Sequence, residues 1–151
     1  MPLKVFSSDQ KLIAEFGEMR RAPIKFYDIP QDFVNALLAA EDDNFANHSG
    51  VDLTSLVRAS TQLLRSGHIQ SGGSTITMQV AKNFFLTSER SFSRKINEIL
   101  LALQIERELS KNEILELYVN KIYLGNRAYG IEAAAQVYYG KSIRDTSLSQ
   151  M

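Results

Sequence analysis

Several short stretches of this 151-residue chain set polar and charged side chains at spacings that suit chemistry. The first is Glu41-Asp42-Asp43-Asn44-Phe45-Ala46-Asn47-His48-Ser49-Gly50. A carboxylate at a helix end beside two further carboxylates resists ionisation, since like charges disfavour one another, and such a group suits a general base working near neutral pH. Phe45 would shield Glu41 from water and His48 would orient it. The plainer alternative is a solvated acidic helix end, and a metal held by Asp42, Asp43 and His48 stays open, though their spacing is not specific for one.

The second stretch is Ser71-Gly72-Gly73-Ser74-Thr75-Ile76-Thr77-Met78-Gln79. Glycines ahead of a Ser/Thr helix start present backbone N–H groups and hydroxyls to an anion, or they are simply a joint and an N-cap. No Gly-Lys-Ser/Thr ending follows, so it is not a nucleotide-binding P-loop. The third is Arg94-Lys95-Ile96-Asn97-Glu98, whose spacing lets all three charges share one helix face. Read blandly, this is an intrahelical ion pair; read chemically, a carboxylate between two cations suits pyrophosphate or a metal. The run Phe84-Phe85-Leu86, flanked by Lys82 and Arg90, fits either a core or an apolar edge that dips into a membrane surface.

The elements that must position these groups are mostly helical. Leu3 to Gly17 reads as a short hairpin, and everything after Pro30 reads as helix. Phe33, Leu37 and Leu38 mark a helix that delivers Glu41 at its end. Asp52 is the expected N-cap of the next helix, striped by Leu53, Leu56, Val57, Leu63 and Leu64 and stopped by Gly67. Ser74 is the expected cap of a helix carrying Ile76, Val80, Phe84 and Phe85. A longer helix spans about 91–109, with Phe92, Ile96, Leu100 and Leu103 as its buried side. Ser110-Lys111-Asn112-Glu113 has capping-box spacing and opens a helix with Ile114, Leu115 and Tyr118. The last complete helix, around Ile131 to Tyr139, stops at Gly140, and Thr146 or Ser147 opens another as the sequence ends. The expected fold class is mainly α with a short N-terminal β element.

Composition bounds the rest. Lys plus Arg equals Asp plus Glu, 17 against 17, so global charge names no partner and gives no footprint for nucleic acid. Locally, Asp32 to Asp52 holds five acids and no Lys or Arg, whereas Lys82 to Lys95 holds four cations and one acid. The two patches either face each other across a cleft or form two solvated faces. There is no cysteine, which removes disulfides and thiolate chemistry. No apolar run approaches the ~18–20 residues of a membrane helix, and the start lacks a signal-peptide pattern. If the protein works outside the cytoplasm, its anchor lies outside this sequence.

Together these stretches resemble the five signatures of family 51 glycosyltransferases, the polymerase module of bifunctional penicillin-binding proteins. Glu41-Asp42-x-x-Phe45-x-x-His48-x-Gly50 is similar to the first. Gly72-x-Ser74-Thr75-Ile76-Thr77-x-Gln79, followed by Lys82 and Asn83, is similar to the second. Arg94-Lys95-x-x-Glu98 resembles the third, and Lys111-x-Glu113-Ile114-Leu115-Glu116-x-Tyr118-Val119-Asn120 the fourth. Gly130-Ile131 through Tyr138-Tyr139-Gly140-Lys141 resembles the fifth. Asn44 stands where many relatives carry arginine, one cation fewer beside the site.

The resemblance implies a lysozyme-like helical lobe with a small, mobile, membrane-facing jaw built from the region after Leu64 and from Lys82–Arg90. Residues 1–151 would be one glycosyltransferase domain that continues past Met151, with the anchor helix and the penicillin-binding domain absent. It implies inverting transfer of a glycan strand on undecaprenyl pyrophosphate to the 4-hydroxyl of lipid II, with Glu41 as general base and Glu98 as a second catalytic carboxylate. Asp42, Phe45, His48, Ser74, Thr75, Gln79, Lys82, Asn83, Arg90, Arg94, Lys95, Tyr118 and Asn120 would bind substrate. No cofactor is required, while a magnesium or manganese ion near Glu98 stays open. The expected place is the outer face of the bacterial cytoplasmic membrane, in contact with elongation or division proteins and as a target of moenomycins. A lysozyme-like muramidase or lytic transglycosylase, and a non-catalytic lipid II binding module, are the alternatives.

Overall fold

The computed structural model describes residues 3–9, 12–16, 20–55, 57–58, 61, 73–86 and 92–151. Strand β1 (Leu3–Phe6) pairs antiparallel with β2 (Leu12–Phe16), Leu3 opposite Phe16 and Val5 opposite Ala14, with the register shifting between Val5 and Phe6. The hairpin read from the sequence is present, and its expected end at Gly17 lies outside the described residues.

A second, smaller pairing carries no local signal. Strand β3 (Arg20–Arg21) runs parallel to β4 (Ala128–Tyr129), and Tyr123 bridges Tyr129. The expectation that everything after Pro30 is helical is therefore corrected at 123–130. A two-residue parallel pairing between ends more than a hundred positions apart is a tertiary event, invisible to a local pattern.

Helix α1 (Gln31–Glu41) follows Pro30, whose fixed φ suits the entry to a helix. Val34 is buried, and Phe33, Leu37 and Leu38 pack on the core, so the last turn exposes Glu41. Residues 53–55, 57–58 and 61 are helical after Asp52; the expected stop at Gly67, with Leu63 and Leu64, lies outside the described residues.

Helix α2 (Ile76–Phe85) is capped by Thr75, whose hydroxyl accepts from Met78 N at 3.1 Å. The expected cap was Ser74, one residue early; its hydroxyl is taken by Lys95 instead, as described below. Helix α3 (Phe92–Glu108) and α4 (Lys111–Lys121) pack against α2. Ser110 and Glu113 form the expected capping box. Helix α5 (Ile131–Tyr139) ends at Gly140, left-handed at φ 68°, and Ser147 opens a short 3-10 turn at Leu148–Gln150.

The core gathers around α4: Ile114, Leu115, Tyr118 and Val119 meet Ile76, Val80 and Ala81 of α2, Ile105 of α3 and Ile131 of α5. Fully burying one such aliphatic side chain stabilises by about 1.5–3 kcal/mol. Helix α3 departs from its expected face. Ile96 and Leu100 are 58% and 59% exposed and Leu103 is exposed, while Glu98, Ala102 and Ile105 are buried. The inward stripe starts with a carboxylate and a small residue, so apolarity alone selects the opposite side. Ala102 is inward because the backbone of Gly50 lies against it: a Cβ on Gly50 would stand 2.7 Å from Ala102 O. Among the described residues no helix is long and apolar enough to cross a membrane.

Candidate active site

Two cavities open on either side of Glu41. One, about 570 Å³, is walled by Glu41, Asp43, Asp52, Arg58, Ser74 and Gln79 among others. The other, about 600 Å³, is lined by Phe33, Leu37, Glu41, Gln79, Asn83 and Tyr118 among others. Glu41 and Gln79 belong to both walls, so the carboxylate is reachable from two sides.

Glu41 holds its place because the turn after α1 is latched to the start of α2. Asp42 is buried and accepts Ile76 N at 2.9 Å, at the N-terminus of α2, where partial positive charge favours an anion. His48 Nε2 lies 3.1 and 3.0 Å from the two Asp42 oxygens, and Gly50 N donates to His48 Nδ1 at 3.1 Å. A bare Nδ1 leaves the hydrogen on Nε2, so His48 donates to Asp42. Gly50 O then accepts from Thr75 Oγ1 at 2.6 Å, and Lys111 Nζ donates to His48 O at 2.7 Å and to Glu106 at 2.7 Å.

These contacts revise two sequence expectations. His48 makes no direct contact with Glu41, because both ring nitrogens are committed to Asp42 and Gly50; it acts on Glu41 only through the latch. Phe45 is 2% exposed, with Lys111 Nζ 4.3 Å from its ring centre, so it packs beneath the turn instead of standing open to the cavity beside Glu41.

The Gln79 side chain reaches Glu41 Oε2 from Nε2 at 2.9 Å, and Tyr118 OH lies 3.5 Å from Gln79 Oε1. Burial first, and then the charge of Glu41, pushes the Tyr118 phenol up to about 12. Behind Ser74, Lys95 Nζ donates to Ser74 Oγ at 2.7 Å and to Glu98 Oε1 at 2.6 Å. Glu98 is 2% exposed and meets the first cavity only through Lys95 and Ser74, the latter in its wall. Among the described residues no three His, Asp or Glu groups could together hold a metal. With an ammonium already seated on Glu98, that arrangement does not fit a metal cage.

Among the other expected site residues, Ser74 and Thr75 line the first cavity and Asn83 the second. Thr75 donates its hydroxyl hydrogen to Gly50 O and accepts Met78 N, so it has no hydrogen left to give a ligand. Lys82 is exposed near the end of α2, and Arg94 is half-buried on α3. Asn120 lies elsewhere: it accepts Ile24 N and donates to Ile24 O, both at 2.8 Å. With Glu116, which accepts Phe26 N and Lys25 Nζ, it clamps the incoming chain to α4. The Phe26 N–H, offset in part by burial, holds the Glu116 carboxyl below its usual range. Arg90 lies outside the described residues.

Sequence reasoning missed Asp52, Ser55 and Arg58 in the wall of the first cavity. Asp52 is read correctly as a cap: Ser55 Oγ and Thr54 Oγ1 each donate to it at 2.6 Å, and Thr54 N at 3.0 Å. Those hydroxyls, Ser55 first, lower its carboxyl to about 2. Arg58 donates to Ser55 Oγ at 3.0 Å. The available signal was the spacing 52, 55, 58, which puts three polar groups on one helical face.

Comparison with known proteins places this geometry. Residues 9–151 match the family described as Transglycosylase. The chain is 81% identical to penicillin-binding protein 1A of Pseudomonas aeruginosa over its whole length, which is 18% of that protein. It is 52% identical to penicillin-binding protein 1A of Escherichia coli, again over all of this chain and 18% of the relative. A crystal structure of penicillin-binding protein 1A from Haemophilus influenzae aligns with a TM-score of 0.44 and 29% identity, covering 99% of this chain and 13% of that one. The chain thus spans about a fifth of the length of the curated relatives it matches. It belongs to the Transglycosylase family.

Proposed function

We propose that this chain polymerises lipid II into peptidoglycan glycan strands, with Glu41 as the general base. The observation that carries the reading is a carboxylate shared by two cavities, which lets two glycans meet on it. Glu41 takes the proton of the acceptor's 4-hydroxyl as that oxygen bonds to the donor's anomeric carbon. The bond from that carbon to the polyprenyl pyrophosphate breaks, the leaving group departs with its electron pair, and configuration inverts to a β-1,4 link. A pyrophosphate leaving group needs positive charge more than a strong acid. Lys95, set by Glu98 and Ser74 at the cavity edge, supplies it, and Lys82, Arg90 and Arg94 are further sources by resemblance to the family.

In this reading Glu98 serves through Lys95, whose ammonium is seated on its carboxylate. Membrane contact is assigned to Phe84 and Phe85, both exposed, with Lys121 Nζ 4.8 Å from the Phe84 ring centre as a cation beside an apolar edge. That edge would meet the outer face of the cytoplasmic membrane, where lipid II and its polyprenyl-linked product reside. The test is lipid II consumption in detergent, comparing the chain with Glu41→Gln. Release of polyprenyl pyrophosphate with growing polymer supports transfer. Loss of added glycan polymer identifies a cutting enzyme, and binding without turnover identifies a binding module.

A further inference from the structure

Among the described residues, the Glu41 side chain has one hydrogen-bond partner, Gln79 Nε2 at 2.9 Å. The oxygen of the same amide faces the Tyr118 hydroxyl at 3.5 Å. An amide has two unlike ends, and only one order satisfies this row. An ionised carboxylate accepts and cannot donate, so the NH2 end must face Glu41. The carbonyl end must then face Tyr118, whose hydroxyl has to donate. The reverse order would set an amide oxygen against a carboxylate oxygen, two acceptors with no hydrogen between them.

Tyr118 suits the donor role on three counts. Its ring lies in the core on α4, so the hydroxyl cannot wander. Its phenol, pushed up to about 12, keeps its proton throughout the range in which the chain would work. Gln79 projects from α2, which packs directly on α4. The row therefore crosses one helix contact and ends on the base.

We propose that Tyr118 is a positioning residue acting through Gln79: it turns the amide NH2-first toward Glu41, occupying Oε2 and leaving Oε1 to take the acceptor's proton. This rests on the assignment of Glu41 as general base. Neither Tyr118 nor Gln79 then needs to touch substrate to matter.

At 3.5 Å, beyond the usual range of about 2.5–3.0 Å for O–H···O, the contact is weak, and its effect is at most that of one modest bond. Tyr118→Phe, which keeps the ring and removes the hydroxyl, should lower kcat about two- to tenfold and leave KM within about twofold. The test is a double-mutant cycle on lipid II turnover with Tyr118→Phe, Gln79→Ala and the pair, each with its thermal midpoint. The expected result is that Tyr118→Phe costs kcat in the parent and nothing further once Gln79→Ala is present. A merely structural role would lower the midpoint and act equally in both backgrounds, which would overturn the relay. So would a rise in KM with kcat intact, which marks a substrate contact, or an unchanged kcat. Turnover persisting in Glu41→Gln would remove the base itself and the relay with it. An additive cycle with Glu41→Gln inactive would remove the relay alone.

Discussion

Replacing Asp42 by asparagine keeps the shape of the side chain and removes one acceptor from a buried latch. In the parent the carboxylate accepts Ile76 N at 2.9 Å and His48 Nε2 at 3.0 and 3.1 Å. Asparagine's one acceptor oxygen, at the Oδ2 position, can still take both Ile76 N and His48 Nε2. Its NH2 group then replaces Oδ1 about 3.1 Å from His48 Nε2, a buried donor facing a donor. His48 cannot escape by moving its hydrogen to Nδ1, because Gly50 N already donates there. An unsatisfied buried donor costs about 1–3 kcal/mol, and losing an anion at the N-terminus of α2 adds about 0.3–1 kcal/mol. The sum, about 1–4 kcal/mol, is a sizeable part of an ordinary domain's stability. At a urea slope of about 2 kcal/mol per molar, the unfolding midpoint should fall by about 0.5–2 M. Equilibrium unfolding followed by far-UV circular dichroism measures this directly. A loss below about 0.5 kcal/mol would refute the latch, since the asparagine NH2 would then sit beside His48 without cost.

Gly50 sits at φ 94°, and a Cβ there would stand 2.7 Å from Ala102 O, so Gly50→Ala should destabilise by about 2–4 kcal/mol in the same assay. The Asp52 carboxyl is lowered from 3.8 to about 2, so its contribution is complete above about pH 4 and disappears as pH falls through about 2. Asp52→Asn should flatten that part of the stability-versus-pH curve, as thermal unfolding from pH 5 to 2 would show. Replacing Phe84 and Phe85 together by serine should weaken sedimentation with anionic vesicles several-fold and leave the fold intact, because both rings are exposed. Unchanged vesicle binding would assign the membrane contact elsewhere.

The sequence was most legible where a signal is local. The β1–β2 hairpin, the end of α1 at Glu41, the Ser110–Glu113 box and the Gly140 stop each depend on a few adjacent residues, and each stands where it was expected. The inward face of α3 was misread because a buried carboxylate, Glu98, heads it and the matching apolar stripe points outward. The one-residue error at the α2 cap came from two adjacent hydroxyls, either able to cap; Lys95 on a distant helix takes Ser74 and leaves Thr75. In the same way Asn120 and His48 looked like ligand-binding groups. A polar side chain that clamps backbone or a buried acid has the same spacing as one that meets a ligand, and only tertiary partners separate them. Glu41 and Gln79 were both singled out from the sequence, but their direct contact joins two helices and could not be read there.

Whether Glu41 is the base of a glycan transfer is decided by lipid II turnover in detergent. Parent chain and Glu41→Gln are compared for lipid II consumed, polyprenyl pyrophosphate released and product length. Polymer is expected from the parent and at least about a hundredfold less from the variant, within the range by which a positioned base accelerates proton transfer, about 10²–10⁴-fold. Equal polymer from both would contradict the assignment of Glu41 as base.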